Sequence, residues 1–208
     1  MTTTDPEALV RTRRTLHGVA EAVLAGPQYR RHNDIRLRAT PGGFGTVTAL
    51  DLRVDGDTLV AGSLRVPMAG HTYASLAAAA GVEASILQHE VYNEGPNVRL
   101  DDTITLDAAA ARHLTECFAL GEAALRRLDP STEPVLWPEH FDIGSTLGEI
   151  NFGVSPGDAY LAEPYAYVGP LHVPTGPFWN APFGAARPMR ELADADAVLA
   201  FFQDGRSA

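Results

Sequence analysis

The chain has 208 residues, 45% of them hydrophobic, with 26 acidic and 16 basic side chains and a formal charge of −10. Every basic residue is Arg, which excludes a Schiff-base lysine, a pyridoxal-phosphate anchor, a P-loop lysine and a catalytic lysine base, since each needs an ε-amine. Cys117 is the single cysteine, so there is no intrachain disulfide, dithiol redox pair or multi-cysteine zinc site, as suits a reducing, cytoplasmic setting.

The charge is unevenly spread. Residues 1–53 hold eight Arg against five acids, and residues 54–208 hold eight Arg against twenty-one, which makes the body of the chain strongly negative. Such a surface repels phosphate backbones, and the Arg clusters RTRR (11–14) and YRRHNDIRLR (29–38) lack interleaved aromatics, so nucleic-acid binding is not expected. No apolar run is long enough to span a bilayer, and MTTTDPEALVRTRR places charges where the apolar segment of a signal peptide would lie. A cytoplasmic protein without membrane contact is the expectation.

Asp5-Pro6-Glu7 supplies an N-cap, a proline for the first helical position and an acid in the first turn; the apolar stripe Leu9, Leu16, Val19, Ala20, Val23, Leu24 then predicts a helix over 6–25, stopped by Gly26-Pro27. Alternation at Ile35, Leu37 and Ala39, a break at TPGGFG (40–45), and resumed alternation to Val54 predict an antiparallel meander, with Asp55-Gly56 as its clearest turn. Residues 72–80 read as a short helix and 83–106 as mostly irregular. A second long helix runs from a cap at Asp107 to Leu128, with Cys117 at the margin of its apolar stripe. The proline- and aromatic-rich segment 171–189 reads as a strap pinned by Phe178, Trp179 and Phe183, and a last helix is expected near 191–203.

Between these lies the stretch that could carry chemistry. A fold-back at Leu147-Gly148 would put Phe141, Ile143, Ser145, Ile150, Phe152 and Val154 on one face of a hairpin and His140, Asp142, Thr146, Glu149 and Asn151 on the other. His140 and Asp142, two apart on one strand, would then lie side by side. In that geometry His140 is a general base or metal ligand, Asp142 its orienter or co-ligand, and Glu149 a second carboxylate. The alternative is a solvent-facing polar face with His140 bonded to its neighbour. Tyr165 and Tyr167 alternate with Ala166 and Val168 and show two phenols on one face, where they orient a substrate or cover a core edge; Glu163, Tyr165, Tyr167 and Trp179 are the candidate substrate-binding residues. His89 and Glu90 of HEVYNEGPN could reach such a site. GGFG (42–45) lacks the context of a nucleotide loop and reads as a turn or bulge, and GSTLG is no nucleophile elbow.

The motifs LWPEHFDIG, NFGVSPGDAYLAEPYAYVGP and FWNAPFGAARP, with AGPQYRRHNDIRLRATPGGFGT nearer the N-terminus, resemble those of a group of uncharacterised actinobacterial proteins of similar length, in the same order. The resemblance covers most of the chain, with Leu171 where Trp is expected after YVGP. It implies a single-domain fold and brings no activity or catalytic residues with it.

Together these readings give an α+β fold over 1–208: antiparallel strands against two long helices, closed by the strap and a C-terminal helix. The function they favour is a small-molecule-binding protein or enzyme with a His/carboxylate pocket in the 140–167 region. The alternative is a non-catalytic interaction protein that docks a partner through 170–188. The sequence assigns no cofactor, metal or oligomeric state.

Overall fold

A computed structural model describes residues 5–208; Met1–Thr4, which open the segment read against a signal peptide, lie outside the described residues. The fold is α+β. Its packing separates two compact units, Met1–Glu116 with Leu136–Phe141, and Cys117–Val135 with Asp142–Ala208.

In the first unit, Asp5 caps α1 (Pro6–Gly18) by accepting from Glu7 N at 3.2 Å. The helix does not stop at Gly26-Pro27. It passes through a π-helical turn, Val19–Ala25, into α2 (Gly26–His32), and ends at Asn33 in the left-handed region. Pro27 has no N–H to donate, and its ring crowds the carbonyl one turn back; a widened turn just before it absorbs that conflict without ending the helix. All seven residues of the π turn are buried, so apolar contact on every side holds the segment helical where local signals favour a stop.

The meander follows as β1 (Leu37–Thr40), β2 (Gly43–Thr46), β3 (Leu52–Asp55), β4 (Thr58–Ala61) and β5 (Leu64–Pro67), each antiparallel to the next. Asp55 pairs with Thr58, which puts the predicted turn at Gly56-Asp57. The predicted break at TPGGFG is shorter than expected: Pro41-Gly42 turns the chain, and Gly43–Thr46 is a fully buried strand. Alternating glycines hide its periodicity; a Cβ at Gly43 would lie 2.0 Å from the Val54 carbonyl oxygen. Helix α3 (Tyr73–Ala79) starts at a capping box between Thr72 and Ser75. On the other side of β1, β6 (Val135–Trp137) pairs through Leu136 and Leu37.

Helix α4 (Ala108–Leu128) carries the chain into the second unit, with the Asp107 carboxylate accepting from Ala110 N at 2.8 Å as predicted. The strands there are β7 (Asp142–Leu147), β8 (Ile150–Ser155), β9 (Tyr165–Pro170) and β10 (Ala185–Pro188), antiparallel and in that order. One face of this sheet is apolar and takes two helices. Gly121 lets α4 approach Val154 and Ile143, and Gly205 lets α5 (Ala195–Ser207) rest on Val168, with Phe202 edge-on to Phe152 at 5.7 Å. The last helix starts four residues later than predicted, because Met189–Glu191 forms a 3-10 turn and Asp194 supplies the cap.

Candidate functional site

The opposite face of β7–β9 carries most of the polar side chains that the pattern picked out. Leu147 pairs with Ile150 and Thr146 with Asn151, so the hairpin turns at Gly148-Glu149, one residue beyond the predicted position. Gly148, with φ +60°, takes the first central place of the turn, which Leu147 could not hold without strain. The slip moves both arms together and leaves each side chain on its expected face, so Asp142, Thr146 and Asn151 share one side.

Asp142 and Tyr167 are joined there by a hydrogen bond in which the phenol donates to Oδ2. Tyr167 is opposite Gly153 on β8, and Gly153 is opposite Gly144 on β7, so the ring lies across two positions without side chains. A Cβ at Gly153 would come within 2.5 Å of the Tyr167 hydroxyl, and one at Gly144 within 3.0 Å. Two residues along β9, Tyr165 donates to Asp158 Oδ2 at 2.5 Å, while Asp158 Oδ1 accepts from the backbone of Tyr160 (2.8 Å) and Leu161 (3.1 Å). Burial, then the Asp142 carboxylate, pushes the Tyr167 phenol well above its ordinary value; burial and Asp158 do the same to Tyr165. Both phenols therefore keep their protons and act as donors. Leu161, Ala181, Phe183 and Ala186 pack around them, with Phe183 stacked on Tyr165 and Tyr160 edge-on to Phe183 at 5.1 Å. The strap thus covers the phenols in part, and Tyr160, 46% exposed, forms the open rim.

His140 is not part of this array. Strand β7 begins at Asp142, and Phe141 before it takes φ +56°, which ends the alternation that would have set His140 beside Asp142. Instead His140 Nδ1 stands 3.3 Å from Glu94, and its Nε2 is 3.9 Å from Glu139, both on the surface of the first unit. Beneath them His17 stacks on Phe141 (5.3 Å, 11°), and its Nε2–H donates to the Pro138 carbonyl at 2.7 Å. Burial first, with the His140 charge helping, lowers the His17 pKa to about 4 against the pull of that bond, so His17 is neutral at pH 7.

The other candidates separate. Glu149 is exposed in the hairpin turn itself, and Glu163 pairs with Arg190 on the surface. Trp179 is half-buried with its ring edge-on to Phe178 at 5.0 Å, and Cys117 is buried. Glu90 is held by both terminal nitrogens of Arg30 at 2.5 Å. Among the described residues no group of three or more His, Cys, Asp or Glu could hold a metal ion, and no helix is long and apolar enough to cross a membrane. The pattern missed Asp158, read only as part of the SPGD turn, and the facing glycines 144 and 153, which a strand pattern could flag as sites of close approach. It also missed Glu21, the lone acid of an otherwise apolar helical segment.

Compared with family models, with curated proteins and with solved structures, the chain matches none.

Proposed function

We propose that the protein binds a small polar molecule on the phenol–carboxylate face of β7–β9. One observation carries the reading: Gly144, Gly153 and Asp142 all depart from what a stable strand prefers, and all three serve to set one phenol on one carboxylate. Interior glycines weaken a strand, and a carboxylate only 8% exposed is less stabilising than an apolar side chain there. Departures of this kind gather at functional sites. A ligand with hydrogen-bond donors would address Asp142 and Asp158, and a flat apolar part would rest on Tyr160 and Phe183. The negative charge of residues 54–208 disfavours anions. A cytoplasmic location belongs to the same reading.

The test is a ligand-observed NMR screen of small polar compounds against wild type, Asp142→Asn and Tyr167→Phe. Hits that bind wild type and weaken at least tenfold in both variants support the site. Hits indifferent to both substitutions, or none at all, overturn it.

A second reading has its own support: residues 171–177 are all exposed, with Leu171 at 69%, which suits a partner-docking segment. Leu171→Asp together with Val173→Asp would abolish such docking and leave the small-molecule screen unchanged.

A further inference from the structure

The meander β1–β5, in the first unit, has a polar face of its own. Its inward side chains Leu37, Phe44, Leu52, Val54 and Leu59 are buried. The other face carries a cross-strand row that the register fixes as Arg38, Gly45, Arg53, Val60 and Arg65. Three arginines thus stand in one row of a chain whose formal charge is −10. Arg38 and Arg65 are exposed, and Arg53 is half-buried.

The three are not served alike. Arg65 reaches over β4 to Asp55, 3.0 Å away, and is neutralised there. Arg38 Nε donates to the Thr46 carbonyl at 3.2 Å, which lays its guanidinium over β2, in the direction of β3 and Arg53. Among the described residues neither Arg38 nor Arg53 is in an ion pair. Gly45 stands between them, and a Cβ there would lie 2.8 Å from the Arg53 Cβ, so that position cannot supply a carboxylate. Like charges gathered on one sheet face repel, whereas an acid at either position would pair with the other. The sheet gives Arg65 a counter-ion and leaves two positive charges uncompensated.

We propose that Arg38 and Arg53 together bind the phosphate group of a phosphate monoester on this face. A monoester carries about −1.5 to −2 at pH 7, which balances two guanidiniums, whereas a carboxylate balances only one. Its terminal oxygens accept from planar guanidinium forks, whose geometry matches phosphate. Arg38 keeps its terminal nitrogens for this, because Thr46 takes only Nε. The occupant is a single phosphate group and not a polyanion, since a chain of this net charge repels a phosphate backbone. A free small ester and a phosphorylated side chain of a partner present the same group.

The experiment uses the 15N-labelled full chain and methyl phosphate as the probe, with sodium chloride at equal ionic strength as control. The amides of Gly45 and Arg53 report the event. Saturable shifts at both in wild type, weakened at least tenfold in Arg38→Gln and in Arg53→Gln but less than twofold in Arg31→Gln, are the expected result. Arg31→Gln, at an exposed position of α2, removes the same charge without touching the row. A response equal to the chloride control, one that Arg31→Gln weakens as much, or one undiminished in Arg38→Gln overturns the proposal. If Arg53→Gln disturbs the sheet, Arg38→Gln carries the test, because Arg38 is exposed. A phosphoserine peptide and a sugar phosphate, titrated side by side, then separate the two sources by which binds more tightly. The row contains neither Asp142 nor Tyr167, so this site and the β7–β9 face can fail separately.

Discussion

Tyr167 of β9 and Asp142 of β7 are hydrogen-bonded across the full width of the intervening strand β8. The bond exists because the ring passes over Gly153 and Gly144 rather than standing up from the sheet. Tyr167→Phe keeps the ring in place and removes one donor from a buried carboxylate, which should cost about 1–3 kcal/mol. Denaturant unfolding of wild type and variant checks this. An unchanged midpoint would show that the bond contributes nothing to the folded state.

The glycines test the same seating from the other side. A methyl group at Gly153 would meet the Ile143 carbonyl and the Tyr167 hydroxyl, each at 2.5 Å, whereas one at Gly144 meets Tyr167 at 3.0 Å and the Phe152 carbonyl at 3.1 Å. Gly153→Ala has backbone to displace and should destabilise by about 1–3 kcal/mol, with Gly144→Ala milder. Chemical denaturation gives the order, and a reversed order would mean that the ring does not lie where the strand pairing puts it.

The faces of this hairpin were legible because the apolar side chains Ile143, Phe152 and Val154 alternate strictly. A turn displaced by one residue carries both arms together and keeps the alternation in phase. The place of His140 was not legible. It depends on Phe141 entering the left-handed region, which a bulky side chain rarely does and no local pattern announces. The early helix was legible up to Ala25, but Gly26-Pro27 reads as a stop wherever tertiary burial is unknown, and the π turn that carries the chain past it also buries Glu21. Tyr165 and Tyr167 were found by period two, whereas their carboxylate partners come from different strands and turns. That pairing follows from topology, not from spacing.

Glu163 illustrates a candidate whose environment is ordinary. Its partner Arg190 is more than half exposed, and Glu191 competes for the same guanidinium at 3.2 Å. Exposed pairs of this kind contribute roughly 0–1 kcal/mol, so Glu163→Gln should leave stability within that range and should not change binding on the β7–β9 face. A larger loss of either in unfolding or ligand titration would return Glu163 to the site.

His17 and Glu21, one helical turn apart, should give the first unit opposing pH slopes. The His17 pKa falls to about 4 on folding, so between about pH 6.5 and 4 the unfolded chain binds the proton more readily than the folded one, and stability is lost as pH falls through that window. A shift of that size is worth up to about 3 kcal/mol, an upper bound because the residue is only half-buried. Glu21 shifts the other way: burial raises its pKa over the pull of the Gln88 and Leu87 amides, so its contribution is greatest at low pH and declines as pH rises above the ordinary glutamate value. Denaturant unfolding of wild type, His17→Gln and Glu21→Gln at half-unit steps from pH 4 to 7 separates the two. His17→Gln should flatten the acid limb, and Glu21→Gln should steepen the net rise of stability with pH by removing the opposing term. If the two substitutions change the slope in the same direction, the burial of at least one of these groups has been misassigned.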